Sequence, residues 1–122
     1  MISEAKDIKV VWDRYASIWS LADNKRDQEL EYCLSEDATY SDPASDILTV
    51  KELSEYMAGF QTAFPNCSFR INKAHLHHSR TLAQWDMVDA EGTSLQQGIS
   101  HVILSKDGKF KQISGFFDLP NS

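Results

Sequence analysis

The sequence predicts an α+β fold, because two kinds of hydrophobic pattern occupy different parts of the chain. Up to about residue 65, apolar residues recur at the three- and four-residue spacing of helices. From about residue 68 onward, extended segments alternate with short turns, as in a meander of strands. Two or three helices followed by four strands indicate a domain whose helices cover one face of an antiparallel sheet.

Size and composition predict one domain spanning residues 1–122. With 42% hydrophobic and 25% charged residues, the chain resembles an ordinary globular protein with a single core. Its net charge of −6 argues against nucleic acid and anionic membranes as partners, because both require clusters of Lys and Arg. No signal-peptide core precedes Ile8 and no apolar run reaches membrane-spanning length, so a cytoplasmic location is expected.

Three helices are predicted in the first half of the chain. The first covers residues 3–21, and the second begins between residues 22 and 27. The third begins at a capping box formed by Thr49 and Glu52 and ends at Pro65. The apolar stripe of the first helix is rich in aromatic residues and consists of Ile8, Val11, Trp12, Tyr15, Ile18 and Trp19.

Five strands are predicted. Residues 38–41 form a short one that ends at Asp42-Pro43, and a loop follows to about Leu48. The other four cover residues 68–77, 81–89, 95–105 and 109–117. The last two flank an Asp-Gly turn, which is typical of a hairpin.

The cysteines and histidines do not predict a metal site. Cys33 and Cys67 lie at no metal-ligand spacing, so we expect buried, reduced thiols. His75 and His77 point to the same side of a strand, but two imidazoles without an acidic partner are too few ligands. Neither a metal nor any other cofactor is predicted. His75 or His101 is an alternative proton-transfer group, although such histidines usually lie at a surface or interface.

Three segments carry a resemblance to a known family. They are Arg14-Tyr15, the sequence Glu-Asp-Ala-Thr-Tyr-Ser-Asp-Pro at residues 36–43, and Gly-Phe-Phe-Asp at residues 115–118. Together with the order of elements, they resemble the nuclear-transport-factor-2-like superfamily over nearly the whole chain. The chain looks most similar to the SnoaL-like branch of ketosteroid isomerases and polyketide cyclases. This resemblance implies a cone, in which a bent sheet folds around the long helix and leaves a ligand cavity.

The same resemblance implies four catalytic candidates. Asp42 matches the general base of the isomerases, and Tyr15 matches the tyrosine that donates a hydrogen bond to the oxyanion. Ser100 stands where those isomerases have a protonated aspartate, so this position departs from the family pattern. Asp118 resembles the acid/base residue of the cyclases. Structural alternatives stay open: Asp42 also suits a turn that ends a strand, and Tyr15 suits a packed core.

Large apolar residues are expected to line the cavity. The candidates are Trp19, Met57, Phe60, Trp85, Met87 and Phe116, with Phe64 and Phe117 as further members. The same residues would also fill an ordinary core. On the outer face of the sheet, Ile99, His101 and Ile103 lie opposite Ser100 and favour a homodimer.

Three functions are compatible with these residues. The first is a cofactor-independent isomerase or cyclase that moves a proton on a small lipophilic carbonyl compound. The second is a non-catalytic module that binds or senses a small hydrophobic ligand, and the third is a protein-interaction scaffold. The direction of Asp42 distinguishes the first two, because a base must face the cavity beside Tyr15, whereas a turn residue caps nearby N–H groups.

Overall fold

A computed structural model describes residues 5–119, with side chains from residue 8 onward. Within this range the chain forms three helices and six strands. They are α1 (Ala5–Ile18), α2 (Asp23–Cys33), β1 (Leu34–Asp42), β2 (Ser45–Ile47), α3 (Val50–Ala63), β3 (Ser68–His77), β4 (Arg80–Val88), β5 (Ser94–Leu104) and β6 (Phe110–Phe116). The α+β class is confirmed, while the predicted start of the first helix at residue 3 lies outside the described residues.

The helix α3 begins at the predicted cap. The Thr49 hydroxyl accepts a hydrogen bond from the Glu52 backbone N–H at 3.1 Å. The same hydroxyl donates to the Glu52 carboxylate at 3.0 Å, whereas a full capping box would direct that carboxylate to the Thr49 N–H. The cap therefore forms around the threonine side chain.

The helix α2 is held by polar contacts as much as by its one fully buried leucine. Arg26 is only 3% exposed, and its guanidinium donates to the Ser54 hydroxyl at 2.9 Å and to the Asp23 carboxylate at 2.6 Å. A third bond reaches the Leu21 carbonyl at 2.9 Å. The buried arginine thus fixes α2 against α3 and against the turn between α1 and α2.

The six strands form one sheet in the order β2-β1-β6-β5-β4-β3. The predicted meander from β3 to β6 is antiparallel, but β1 pairs with β6 in parallel, so the sheet is mixed. The predicted loop after Pro43 contains β2, because a two-residue turn places Ser45 opposite Asp42. That short edge strand lacks a run of apolar residues, which is why the sequence did not indicate it.

The helix α1 lies across the inner face of the sheet and supplies the aromatic centre of the core. The Trp12 indole donates to the Thr81 hydroxyl at 2.8 Å, and that hydroxyl donates to the His75 carbonyl at 2.6 Å. Irregular registers interrupt β1–β6, β3–β4, β4–β5 and β5–β6, and such bulges bend strands. The open sheet and α1 thereby enclose space between them.

Two further sequence expectations concern the membrane and the thiols. Within residues 5–119, no helix is both long and apolar enough to cross a membrane.

Cys33 and Cys67 are free and only partly buried. Burial raises the pKa of the Cys33 thiol to about 11, which keeps it neutral and weakly nucleophilic near pH 7.

Candidate active site

A cavity of about 870 Å³ lies between α1, α3 and the inner face of the sheet. Its wall is largely aromatic and contains Trp12, Tyr15, Trp19, Tyr40, Tyr56, Phe60, Phe69, Trp85 and Phe117. Phe64 and Leu95 also line it and are 45% and 51% exposed, so they mark the rim. A volume of this size suits a small organic molecule.

Asp42 lies on the cavity wall at the end of β1. Its Oδ1 accepts a hydrogen bond from the Ala44 backbone N–H at 2.8 Å, as in an Asx turn. The side chain is half-buried and borders the cavity at the same time. The two expectations for Asp42, a turn residue and a cavity carboxylate, are therefore compatible in one conformation.

Two tyrosine hydroxyls fix the other oxygen of this carboxylate. Tyr40 donates to Asp42 Oδ2 at 2.6 Å, and Tyr56 donates to the same atom at 2.9 Å. Burial raises the pKa of both phenols far above the ordinary value, and the interaction with Asp42 adds to this, so both remain donors. This pair was not predicted from the sequence, although Tyr40 lies two residues before Asp42 on one strand and so shares its face.

Tyr15 lines the cavity from α1 and is 5% exposed. Its hydroxyl oxygen is buried and has no hydrogen-bond partner among the described residues. Burial raises the pKa of this phenol well above its ordinary value, although the nearby Trp19 indole acts in the opposite direction. A neutral donor without a partner is thus held against the cavity, where an acceptor that enters between the surrounding rings would satisfy it.

Ser100 and Trp85 line the cavity from the neighbouring strands β5 and β4, and Gly98 pairs with Trp85 across them. The Trp85 indole N–H donates to the Ser100 hydroxyl oxygen at 3.0 Å, which leaves the hydroxyl proton available to another acceptor. The indole lies so close to Gly98 that a Cβ there would overlap its ring. The absence of a side chain at Gly98 therefore sets the position of Trp85.

Several predicted residues occupy other positions. Met57 is fully buried in the core beneath the cavity wall, and Phe116 is 60% exposed on the outer face of the sheet. Both are therefore corrected as lining residues. Met57 is on the face of α3 that packs into the core, and the alternation of β6 turns Gly115 inward and Phe116 outward, while Phe117 reaches the cavity. Asp118 is exposed at the rim.

The remaining predicted lining residues, Trp19, Phe60, Trp85 and Met87, do border the cavity. No histidine is among the described lining residues, so His75 and His101 are not placed for proton transfer there. The described residues contain no group of three or more His, Cys, Asp or Glu side chains arranged to hold a metal ion.

A second concavity of about 830 Å³ lies between α2, α3 and the start of β1. Its lining mixes acidic side chains with Lys51 and Lys109, and the buried guanidinium of Arg26 is already engaged by its neighbours. The aromatic cavity is the better candidate site, because it combines an apolar wall with few polar groups that converge on it.

Comparisons with known proteins agree with this architecture. The family model of the SnoaL-like domain matches residues 12–113. No curated protein matches the chain. Among solved structures, a candidate isomerase of the SnoaL-like family from Agrobacterium tumefaciens superposes with a TM-score of 0.82 at 19% identity, covering 90% of this chain and 96% of the other.

Two further structures share the fold at low sequence identity. An NTF2-like protein of unknown function from Exiguobacterium superposes with a TM-score of 0.70 at 18% identity, covering 90% and 99% of the two chains. A protein of ketosteroid isomerase-like fold from Catenulispora acidiphila, in complex with trimethylamine, gives a TM-score of 0.72 at 14% identity, covering 89% and 85%. With the match of the family model, we conclude that the chain belongs to the SnoaL-like family and has the nuclear-transport-factor-2-like fold.

Proposed function

We propose that the protein is a cofactor-independent isomerase or cyclase that transfers a proton on a small lipophilic carbonyl compound. The observation that carries this proposal is the Asp42 carboxylate, held in one orientation on the wall of a mainly apolar cavity. Among the described residues, no Lys, Arg or His forms an ion pair with it. An oriented carboxylate that faces an apolar ligand is suited to general base catalysis.

In the proposed reaction, Asp42 takes the proton from the carbon next to the substrate carbonyl. Oδ1 is the suitable atom, because it accepts one backbone hydrogen bond whereas Oδ2 accepts two from tyrosines. The negative charge moves to the carbonyl oxygen. The Ser100 hydroxyl is the available donor there, and the buried Tyr15 hydroxyl becomes a second donor once the rings around it move apart. The proton then returns to a different carbon in an isomerisation.

Asp118 has a lesser part in this proposal. Its exposed position at the rim supports contact with the outer end of a bound molecule more than proton transfer at the reacting carbons. We therefore assign the base to Asp42 and leave Asp118 as a second candidate for acid/base chemistry in a cyclisation.

The proposal is tested by turnover of conjugated and β,γ-unsaturated ketones, followed by ultraviolet absorbance. The assay with any substrate found is then repeated with the variants Asp42→Asn and Tyr15→Phe. Loss of the base is expected to lower kcat by about a hundred- to ten-thousand-fold, and loss of the donor by less. Undiminished turnover by Asp42→Asn would show that the base is misassigned.

A non-catalytic binding module is the second candidate. It is favoured by the same hydrogen bonds, because three donors on one carboxylate also stabilise a purely structural turn. Tight binding of lipophilic compounds together with the absence of turnover for every ketone would support it over the enzyme.

We also propose a homodimer formed through the outer face of the sheet. Ile99 and Phe116 lie directly opposite each other on β5 and β6 and are 43% and 60% exposed. Pairing with the same patch of a second copy about a two-fold axis would cover both. Like the expected cytoplasmic location, this assembly is a prediction.

Sedimentation at micromolar concentration tests the dimer. Wild type is expected to have the mass of two chains, and Phe116→Lys the mass of one. Leu48→Lys is the matched control, because Leu48 is 69% exposed outside the sheet face. A monomeric wild type, or a Phe116→Lys variant that remains dimeric, would contradict the proposed interface.

A further inference from the structure

The described lining of the aromatic cavity carries charge of one sign only. Asp42, Glu55 and Asp118 contribute carboxylates, and no Lys, Arg or His is among the described lining residues. The whole chain has a net charge of −6, which adds to the same negative potential. A carboxylate or phosphate ligand would therefore enter against the field, whereas a cation would be attracted.

Aromatic side chains surround the place where this charge is least exposed. The Trp19 ring lies 5.8 Å from Tyr40 and 6.0 Å from Tyr56, measured between centroids, and the two tyrosine rings are 5.8 Å apart. Both tyrosines also hold the Asp42 carboxylate. The negative faces of such rings attract organic cations within about 6 Å of the ring centre.

The apolar continuation of this group fits a lipophilic body. Phe69 lies 5.5 Å from Trp19, 4.9 Å from Phe60 and 5.2 Å from Trp85, again between ring centroids. Independently of the carboxylates, the buried Tyr15 hydroxyl on the same wall has no partner among the described residues. This unmet hydrogen bond is a separate indication that the cavity takes a ligand.

We infer that the cavity binds lipophilic organic cations, namely substituted ammonium ions with an apolar body. Asp42 is their counter-ion, and the rings of Trp19, Tyr40 and Tyr56 contact the charged group. The inference rests on one part of the proposed function, that the cavity takes a small molecule, and not on turnover. Because the cation occupies the place opposite Asp42, it inhibits any proton transfer competitively with the carbonyl substrate.

The test compares benzyltrimethylammonium with its uncharged carbon isostere, neopentylbenzene. Trp12, Trp19 and Trp85, the three tryptophans of the chain, all line the cavity, so intrinsic fluorescence reports binding without a label. At fixed ionic strength, the ammonium ion is expected to bind about tenfold more tightly than the isostere. Equal or weaker binding of the ammonium ion would overturn the inference.

Two variants locate the effect. Asp42→Asn retains the shape of the side chain and is expected to abolish the preference for the cation. Asp46→Asn removes the same charge from the exposed neighbouring strand β2 and is expected to preserve it. Circular dichroism verifies that both variants are folded. If Asp42→Asn still prefers the ammonium ion to its uncharged isostere, the assignment of Asp42 as the counter-ion is wrong.

The outcomes separate this inference from the proposed enzyme. Ketone turnover without any preference for the ammonium ion overturns the inference and leaves the proposed function standing. Preferential cation binding without turnover of any ketone overturns the proposed function and leaves the inference standing. When both are observed, competitive inhibition of turnover by benzyltrimethylammonium is the expected link, and non-competitive inhibition would contradict a shared site.

Discussion

Two carboxylates on opposite faces of the same sheet have different partners. Asp86 on β4 faces outward and is 5% exposed, with one oxygen bonded to the Arg70 guanidinium at 2.9 Å and the other to the Asn72 amide at 2.9 Å. Asp42 on β1 faces the cavity and accepts hydrogen bonds from neutral groups only. The first charge is compensated by a cation, and the second is not.

This difference indicates how each carboxylate contributes. A carboxylate that a neighbouring arginine neutralises stabilises the pairing of two strands, here β3 and β4. A charge that is oriented but not neutralised, and that borders an apolar cavity, keeps its capacity to attract a proton or a cation. The partners of a carboxylate, rather than its burial alone, thus distinguish a structural role from a functional one.

The largest expected effect is on turnover, and it distinguishes the two carboxylates. Asp42→Asn should lower turnover by about a hundredfold or more. It should also cost about 1 kcal/mol in the free energy of unfolding, because its amide nitrogen cannot accept the hydrogen bonds that one carboxylate oxygen accepts. Asp86→Asn should leave kcat unchanged for any substrate found and should cost about 2 kcal/mol in stability, because the Arg70 and Asn72 donors lose a charged acceptor. Steady-state kinetics and urea unfolding measure the two quantities, and an equal loss of turnover in both variants would contradict the distinction.

Acid unfolding tests Asp86 in a second way. Burial by itself would raise the pKa of this carboxyl, but hydrogen bonds from Asn72, Ser94, Arg70 and Gln97 outweigh burial and lower it. Because the folded pKa lies below the unfolded value of about 3.9, the stabilisation is present above that pH and is lost as the pH falls through the folded pKa. Wild type should therefore lose more stability than Asp86→Asn below about pH 4.

Gly98→Ala is expected to have the next largest effect. A methyl group at this position overlaps the Trp85 indole, so the ring must move and the hydrogen bond to Ser100 must break. Overpacking of this kind costs about 1–3 kcal/mol. Ligand affinity should fall together with the melting temperature. Unchanged affinity in Gly98→Ala would exclude Trp85 from the ligand site.

The smallest effect is expected from Tyr56→Phe. It removes one of the two phenol donors from Asp42 Oδ2 and leaves the bond from Tyr40 in place. A looser carboxylate should reduce kcat by about tenfold or less while KM changes little, because the aromatic ring stays in the wall. If KM instead rises by about tenfold and kcat is unchanged, Tyr56 only binds the ligand.

Much of the fold was predictable because α1, α3 and the central strands are amphipathic. The aromatic stripe of α1 and the alternation that turns Trp85 and Met87 inward are both local patterns. The short strand β2 carries no alternating apolar run. The parallel pairing of β1 with β6 depends on long-range contacts, and the burial of Arg26 depends on partners from three segments. No local pattern encodes these features.

The candidate site was predictable only in part. Asp42 and Tyr15 were found through a resemblance, and the structure brings both to one cavity. Phe117 lines the cavity in place of the predicted Phe116 because of the strand register. Gly115 lies opposite Ser100 on the inner face, and Phe116 lies opposite Ile99 on the outer face. The pair of tyrosines on Asp42 combines β1 with α3, and their meeting is a property of the tertiary structure.

The most direct test of Asp42 as a general base is exchange of substrate hydrogen with solvent. Wild type is incubated in D₂O with the panel of conjugated and β,γ-unsaturated ketones, and NMR follows deuterium at the carbons next to the carbonyl. Wild type is expected to accelerate exchange for at least one ketone, and Asp42→Asn is expected to reduce it to the uncatalysed rate. Equal exchange with wild type and Asp42→Asn, or neither exchange nor isomerisation above background with wild type, would contradict this assignment.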